Sequence, residues 1–372
     1  MRCYVVREED GAFSRGVEDY EPFARESADL HVRVEYSGVN YKDALVASPS
    51  SRVRRVPVLV GGVDAAGVVI TSSDPGIAEG TPVCVHGGDL GVGRDGGFAP
   101  QVYAPPRLVS VLPASISTRD AMVIGTAGFT AMASVLALEE HGLEPGAEVL
   151  VTGATGGVGS LAVSFLQARD YQPVASTGSP QESAWLYERG AVRVIGRDDI
   201  ADRPDRVLAS ERWAGAIDCV GGETLHHILR SLRYGAGVAA SGLVASPDLN
   251  TNVYPFITRA VALLGIDAVE TSARTRAEVW RQLGEVATRV DFAGLIDSTI
   301  TLEGLDEALE MIRSGKTRGR IVVDPSEDCT PLVVDDRSRQ SPMEGPRLMS
   351  TTAWTAITNS PPDHSRAASR TD

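Results

Sequence analysis

The run Val149-Leu150-Val151-Thr152-Gly153-Ala154-Thr155-Gly156-Gly157-Val158-Gly159 passes from an apolar stretch through a glycine-rich turn into a helical pattern. Glycine has no Cβ, so the backbone turns tightly there and lies close to a ligand. The unpaired N–H groups and dipole of a helix start favour an anion. Strand, glycine turn and helix in that order make a seat for the pyrophosphate of a dinucleotide, formed by Thr155, Gly156, Gly157, Val158 and Gly159; the plain alternative is a tight turn. About 20 residues further on, an acid would hold the ribose hydroxyls of NAD. The stretch from Tyr171 to Pro180 contains none. Ser176, Thr177 and Ser179 offer small polar groups around Gly178, and Arg197 adds charge after the next strand, so NADPH is expected over NADH. The alternative there is a polar strand end with a solvated arginine.

The turn also satisfies TGxxxGxG, the pattern of short-chain dehydrogenases, whose catalytic pair is YxxxK. Lysine occurs only at Lys42 and Lys316, and the positions four residues earlier hold Gly38 and Ile312. That assignment therefore fails.

These groups need a rigid frame. From about residue 121 strands alternate with helices: AEVLVTG, VGSLAVSFLQAR, QPVAST, ESAWLYERG, VRVI, AGAIDCV, GVAASG. That alternation implies a doubly wound parallel sheet, because parallel strands need crossover connections. Residues 1 to about 120 instead read as short β segments, such as LHVRVEY and DAAGVVI, broken by Gly, Pro and Ser clusters. After about 260 the pattern is mixed and ends in the strand RGRIVVD. Residues 326 to 372, rich in Pro, Ser and Thr, read as a disordered extension.

Composition agrees with small-molecule chemistry. The 372 residues, 43% of them hydrophobic, predict two domains, and a net charge of −14 argues against nucleic acid as a partner. Cys3, Cys84, Cys219 and Cys329 are far apart without a CxxC pair, so a reducing compartment and no metal are expected. The amino-terminal segment has an acid by Glu8, and no run of about 18 apolar residues is evident, so the expectation is a cytoplasmic protein without membrane partners.

Further segments carry a resemblance: SGVNYKDAL at 37–45, GGVDAAG at 61–67, GVGRDGGFAP at 91–100, IGTAGFTAM at 124–132, VTGATGGVGS at 151–160, WAGAIDCVGG at 213–222 and TRGRIVV at 317–323. With these the chain resembles the medium-chain dehydrogenase/reductase superfamily, in its zinc-free acryloyl-CoA reductase, quinone oxidoreductase-like branch. The resemblance implies an α/β protein with a GroES-like β-rich catalytic domain (1–120 and 260–325) and an inserted Rossmann NADP-binding domain (121–259). It implies NADPH-dependent reduction of the carbon–carbon double bond of acryloyl-CoA or a similar enoyl thioester, and a homodimer.

Hydride attack on an enoyl thioester pushes charge onto the carbonyl oxygen, so hydrogen-bond donors and a proton source are required. Asn40-Tyr41-Lys42-Asp43 is the local candidate, with Tyr41 as cofactor contact and donor, and Asn40 and Asp43 fixing the loop. The other reading is a capping Asp43 and a packed Tyr41 ring. The resemblance further places Thr126 and Thr130 beside the nicotinamide, Leu243 (with Gly242) and Ile266 along the cofactor, and Arg320 near it. Helix starts, core packing and an ion pair are their structural alternatives. Relatives commonly carry a basic residue where Ser179 stands, and Pro-Gly where Gly61-Gly62 occurs. Arg52, Arg54 and Arg55 form a basic cluster that would suit the phosphates of coenzyme A, or simply a solvated loop. Two other functions stay open: a quinone or enone reductase, and a cofactor-binding protein without turnover.

Overall fold

Alternation of strands and helices between Glu148 and Gly265 builds one six-stranded parallel sheet, as the sequence pattern predicts. In space the strands run Arg193–Gly196, Gln172–Thr177, Glu148–Thr152, Gly215–Asp218, Gly237–Ala240, Ala262–Gly265. The chain starts in the middle, winds to one edge, then crosses to the other side. The switch falls between Glu148–Thr152 and Gly215–Asp218, and doubly wound sheets bind ligands outside the carboxyl ends of their strands at such a point. Val149 to Thr152 are buried, as expected of a parallel strand covered on both faces.

The computed structural model describes residues 1–27, 29–200 and 206–326. The extension read as disordered lies, Ser326 apart, outside the described residues, as does Cys329. Cys3, Cys84 and Cys219 are unpaired thiols.

A second sheet has seven strands. Its strand Leu30–Gly38 pairs antiparallel with Asp64–Thr71, Gln101–Ala104 and, through Ser37 and Gly38, with the final strand Arg320–Val323. The last strand thus returns to the amino-terminal part of the chain. A smaller sheet joins Arg2–Glu9, Ala12–Asp19 and Val58–Val60. Two sequence expectations need correction. Ala262–Gly265 pairs with Gly237–Ala240, so the parallel sheet extends past the boundary set at 259. This is a short edge strand with alternating exposure, which leaves a weak sequence signal. An apolar run of membrane-spanning length also exists: helix Thr118–Glu140 is long and apolar enough, but 78% of its most apolar window is buried inside the fold. It is the core helix between the two large sheets, contributing Met122, Ile124, Phe129 and Met132 to the main apolar cluster.

That helix is interrupted at Gly125, whose φ of 46° and ψ of −156° are not helical. Side chains disfavour such a conformation and glycine tolerates it. The helix resumes at Thr126, which presents a fresh helix start in the interior.

Candidate functional site

Asp64, at the start of a strand in the seven-stranded sheet, is wholly buried. Its carboxylate accepts from the Thr126 N–H at 2.9 Å and hydroxyl at 2.5 Å, and from Asn40 Nδ2 at 2.8 Å. The restarted helix therefore supplies both its dipole and a backbone donor to a buried anion. Arg320 Nη2 stands 3.7 Å from the same carboxylate. Arg320 is 3% exposed and donates to the Val123 carbonyl at 2.9 Å, the Val39 carbonyl at 3.1 Å and Asn40 Oδ1 at 3.2 Å. Gly38 and Gly125 are small because Asp64 and Arg320 occupy the space beside them.

Asp43, in the first turn of helix Tyr41–Val46, accepts from the Asn40 N–H at 2.7 Å and the Val63 N–H at 2.9 Å. Burial pushes its carboxyl up to about 7 despite those two donors and the nearby Arg320; Asp64 adds to the rise. Burial also lowers the Arg320 and Lys42 pKa values, against the pull of nearby carboxylates. Asn40, Asp43 and Thr126, all singled out from sequence, are thus brought into one network, but their polar atoms are spent on one another and on Asp64. The Thr130 hydroxyl turns back to the Thr126 carbonyl at 2.7 Å, so it serves its own helix.

The network reaches the glycine turn. A Cβ on Gly157 would lie 3.1 Å from Arg320 Nη1, and one on Gly159 would strike the Gly153 carbonyl. Gly153 itself has a φ of 60°. The Thr155 carbonyl accepts from the Gly319 N–H at 2.8 Å, a second tie between the turn and the final strand. Thr155, Gly156, Gly157 and Val158 are half-buried, and helix Gly157–Ala168 begins there without a side-chain cap. Its first N–H groups have no intrahelical acceptor. Backbone that no side chain can crowd, at a helix start with open N–H groups, fits a diphosphate.

At the end of the next strand Thr177 is buried and its hydroxyl accepts from the Ser179 N–H at 3.0 Å. The exposed Arg197 guanidinium lies directly over Gly178, where a Cβ would collide with it. Gly178, Ser179 and Arg197 therefore share one surface beside the turn. Half-buried Leu243 and Ile266 follow the strands Gly237–Ala240 and Ala262–Gly265, on the same carboxyl edge. A Cβ on Gly242 would meet the Cys219 carbonyl, so that loop is packed against its neighbour.

Tyr41 is half-buried, and its hydroxyl has no partner among the described residues. A cavity of about 40 Å³ is lined by Asn40, Lys42, Val63, Thr126 and Val269, but not by Tyr41. Lys42, named above within the Asn40–Asp43 stretch but given no role of its own, lines that cavity. Asp64 was missed as the centre of the network. Its signal was an acid opening an otherwise apolar strand. The basic cluster dissolves: Arg54 pairs with Glu8 and the Val46 carbonyl, leaving Arg55 to face a cavity. A metal ion finds no fitting ligands here, since Asp64 is saturated and beside a cation. Among the described residues no three His, Cys, Asp or Glu side chains converge.

Residues 26–114 match the family described as alcohol dehydrogenase GroES-like domain, and residues 157–289 that described as zinc-binding dehydrogenase. YhfP of Bacillus subtilis, which carries a quinone oxidoreductase name, is 43% identical over 78% of this chain and 89% of its own. The acrylyl-CoA reductase AcuI of Ruegeria pomeroyi is 41% identical over 80% and 90%. Among solved structures, the yhdH oxidoreductase of Salmonella enterica in complex with NADP superposes with a TM-score of 0.81 at 37% identity, over 88% of this chain and all of the other. The structure of yhfP was solved with NAD bound and gives 0.82 at 39% identity, over 87% and 98%.

Proposed function

Because the chain belongs to the medium-chain dehydrogenase/reductase superfamily, in the quinone oxidoreductase-like group of YhfP and AcuI, we propose that this oxidoreductase reduces the double bond of acryloyl-CoA or a similar short enoyl thioester with NADPH. The observation that carries the reading is the adjacency of Gly157 and Asn40, joined by one guanidinium, because it sets the diphosphate seat beside the acceptor cleft. Thr155 to Gly159 hold the diphosphate. Thr177, Gly178, Ser179 and Arg197 take the 2′-phosphate, and Leu243, Ile266 and Tyr41 line the remainder. NADPH bound in this way supplies a hydride to the β carbon.

The chain's own residues have two tasks. Asn40, Asp43, Asp64, Thr126 and Arg320 form a buried, charge-balanced frame that fixes helix Tyr41–Val46 against the glycine turn. We assign proton delivery to the Tyr41 hydroxyl and the Lys42 ammonium, which stand between Asn40 and Asp43 in the chain. Lys42 lines the inner cavity, where burial favours giving up its proton. Apolar Val63 and Val269 in the same wall exclude water from the thioester.

The NAD in the yhfP structure and the quinone oxidoreductase name of YhfP favour a second reading on the same scaffold, a quinone or enone reductase. Following NADPH absorbance with acryloyl-CoA, crotonyl-CoA and a simple quinone in parallel, with NADH as control, separates the two. Saturable NADPH oxidation by acryloyl-CoA is expected; oxidation by the quinone alone would sink the thioester assignment. We propose a homodimer, supported by the edge strand Ala262–Gly265 with exposed Leu263, and by Val253 and Ile257 nearby, 63% and 72% exposed. Sedimentation of the intact chain tests it, a monomer at micromolar concentration being the contrary result.

A further inference from the structure

Gly88 and Val269 line two cavities at once, so the inner one beside Asn40, Lys42 and Thr126 adjoins an outer one of about 500 Å³. Three arginines line the outer cavity: Arg55, Arg107 and Arg276. Arg276 is 3% exposed, yet it pairs with no carboxylate among the described residues. Its Nη1 donates to the His86 carbonyl at 3.1 Å and to the His86 ring, and its Nε has no hydrogen-bond partner among the described residues. His86 is no counter-ion. It is buried, it also accepts from Trp280 Nε1 at 3.2 Å, and burial with Arg276 beside it keeps the ring neutral. Asp267 and Glu270 attract Arg276 from beyond pairing distance, and a buried guanidinium without a paired carboxylate is costly unless something else supplies the negative charge.

The surroundings favour an anion from outside. Arg55 is exposed without a side-chain partner among the described residues, and Arg107 reaches Glu26 only at 3.6 Å between two exposed groups. Helix Ala273–Val286, with Ser272 as its cap, starts in the same wall, so its dipole adds to the positive side. Two acids also line the cavity. Asp89 is committed to Arg94 Nε at 2.9 Å, and Glu270 is exposed, which leaves a positive balance.

We propose that this outer cavity is the subsite for the phosphate groups on the carrier portion of the acceptor, with Arg276 as the buried anchor and Arg55 and Arg107 at its mouth. The proposal rests on the enoyl thioester reading and deepens it. A nucleotide-bearing thioester docks its phosphates in the outer cavity while its acyl end passes Gly88 and Val269 into the inner one. A neutral quinone gains nothing from these arginines.

The test compares acryloyl-CoA with acryloyl-N-acetylcysteamine, which has the same acyl thioester and no phosphate. In Arg55→Gln/Arg107→Gln, at exposed positions where folding is not at stake, the ratio of kcat/KM for the two substrates is expected to fall about ten-fold or more, through KM for acryloyl-CoA. Arg276→Met is expected to lower it further. An unchanged ratio in an active double variant overturns the subsite while leaving the reductase assignment intact. Calorimetric titration of free coenzyme A and of inorganic pyrophosphate into wild type and the double variant decides the matter even without turnover. Coenzyme A binding that weakens in the variant supports the subsite. Failure of wild type to bind coenzyme A, or pyrophosphate binding without it, overturns it.

Discussion

The Nη1 atom of Arg320 lies 3.2 Å from Oδ1 of Asn40, 280 positions away in the chain. The final strand thereby fixes the start of helix Tyr41–Val46, with the glycine turn packed against the same guanidinium. Arg320→Met would leave Asp64 buried without its cation and Asn40 with an open acceptor. Breaking one side of such a pair costs about 3–5 kcal/mol. Urea unfolding is expected to show a loss of that order, and NADPH binding to weaken with it. An unchanged midpoint would mean that Arg320 does not hold the frame.

Asp43 gives the frame a pH dependence of definite sign. Its carboxyl titrates near 3.8 when unperturbed and at about 7 in the folded protein. Between those values the folded state keeps a proton that the unfolded chain has released. The resulting stabilisation is fully present below about pH 4 and is lost as pH rises through 7, at about 1.4 kcal/mol for each pH unit crossed. The difference in unfolding free energy between wild type and Asp43→Asn should therefore fall with rising pH across that window and level off above it. A difference that stays flat from pH 4 to 8 would contradict the assignment.

The glycine turn tolerates no side chain at its tightest point. Gly159→Ala places a methyl against the Gly153 carbonyl and displaces the backbone that would carry the N–H donors. NADPH affinity is expected to drop about ten-fold or more while the far-ultraviolet spectrum is kept. Equal affinity would show that the turn does not touch the cofactor.

Much of this arrangement was legible in the sequence, and the omissions share a cause. The parallel sheet followed from strand–helix alternation, and the turn from glycines at fixed offsets, because both are local patterns. Asn40, Asp43 and Thr126 were picked out as residues, but the convergence of Asn40 and Thr126 on Asp64 was not, since hydrogen bonds over 24 and 62 positions leave no local trace. Arg54 and Arg55 are neighbours that look alike in sequence. One is buried against Glu8 and the other faces the outer cavity, a difference set by tertiary packing alone. The edge strand Ala262–Gly265 was misplaced because a short apolar run carries no local mark of the sheet it joins.

Cofactor preference is open to change from both directions. Arg197 lies over Gly178 at the strand end, whereas Ser179 is uncharged. Arg197→Gln is expected to reduce the NADPH over NADH ratio of kcat/KM by about ten-fold, the worth of one charge-assisted contact, and Ser179→Arg to raise it. Ratios that do not move in either variant would place the 2′-phosphate elsewhere.

Proton delivery separates Tyr41 from Lys42. Tyr41→Phe keeps the ring and removes only the hydroxyl, whereas Lys42→Met keeps most of the apolar stem and removes the ammonium. A general acid contributes about 10²–10⁴-fold to the rate. If Lys42 supplies the proton from the inner cavity, Lys42→Met lowers kcat on that scale and abolishes the alkaline limb of its pH profile, which reflects the lowered ammonium pKa. Tyr41→Phe then acts mainly on KM for NADPH. The reverse pattern, a large kcat loss in Tyr41→Phe with Lys42→Met near wild type, would hand the donor role to the tyrosine and leave Lys42 as a wall of the cavity.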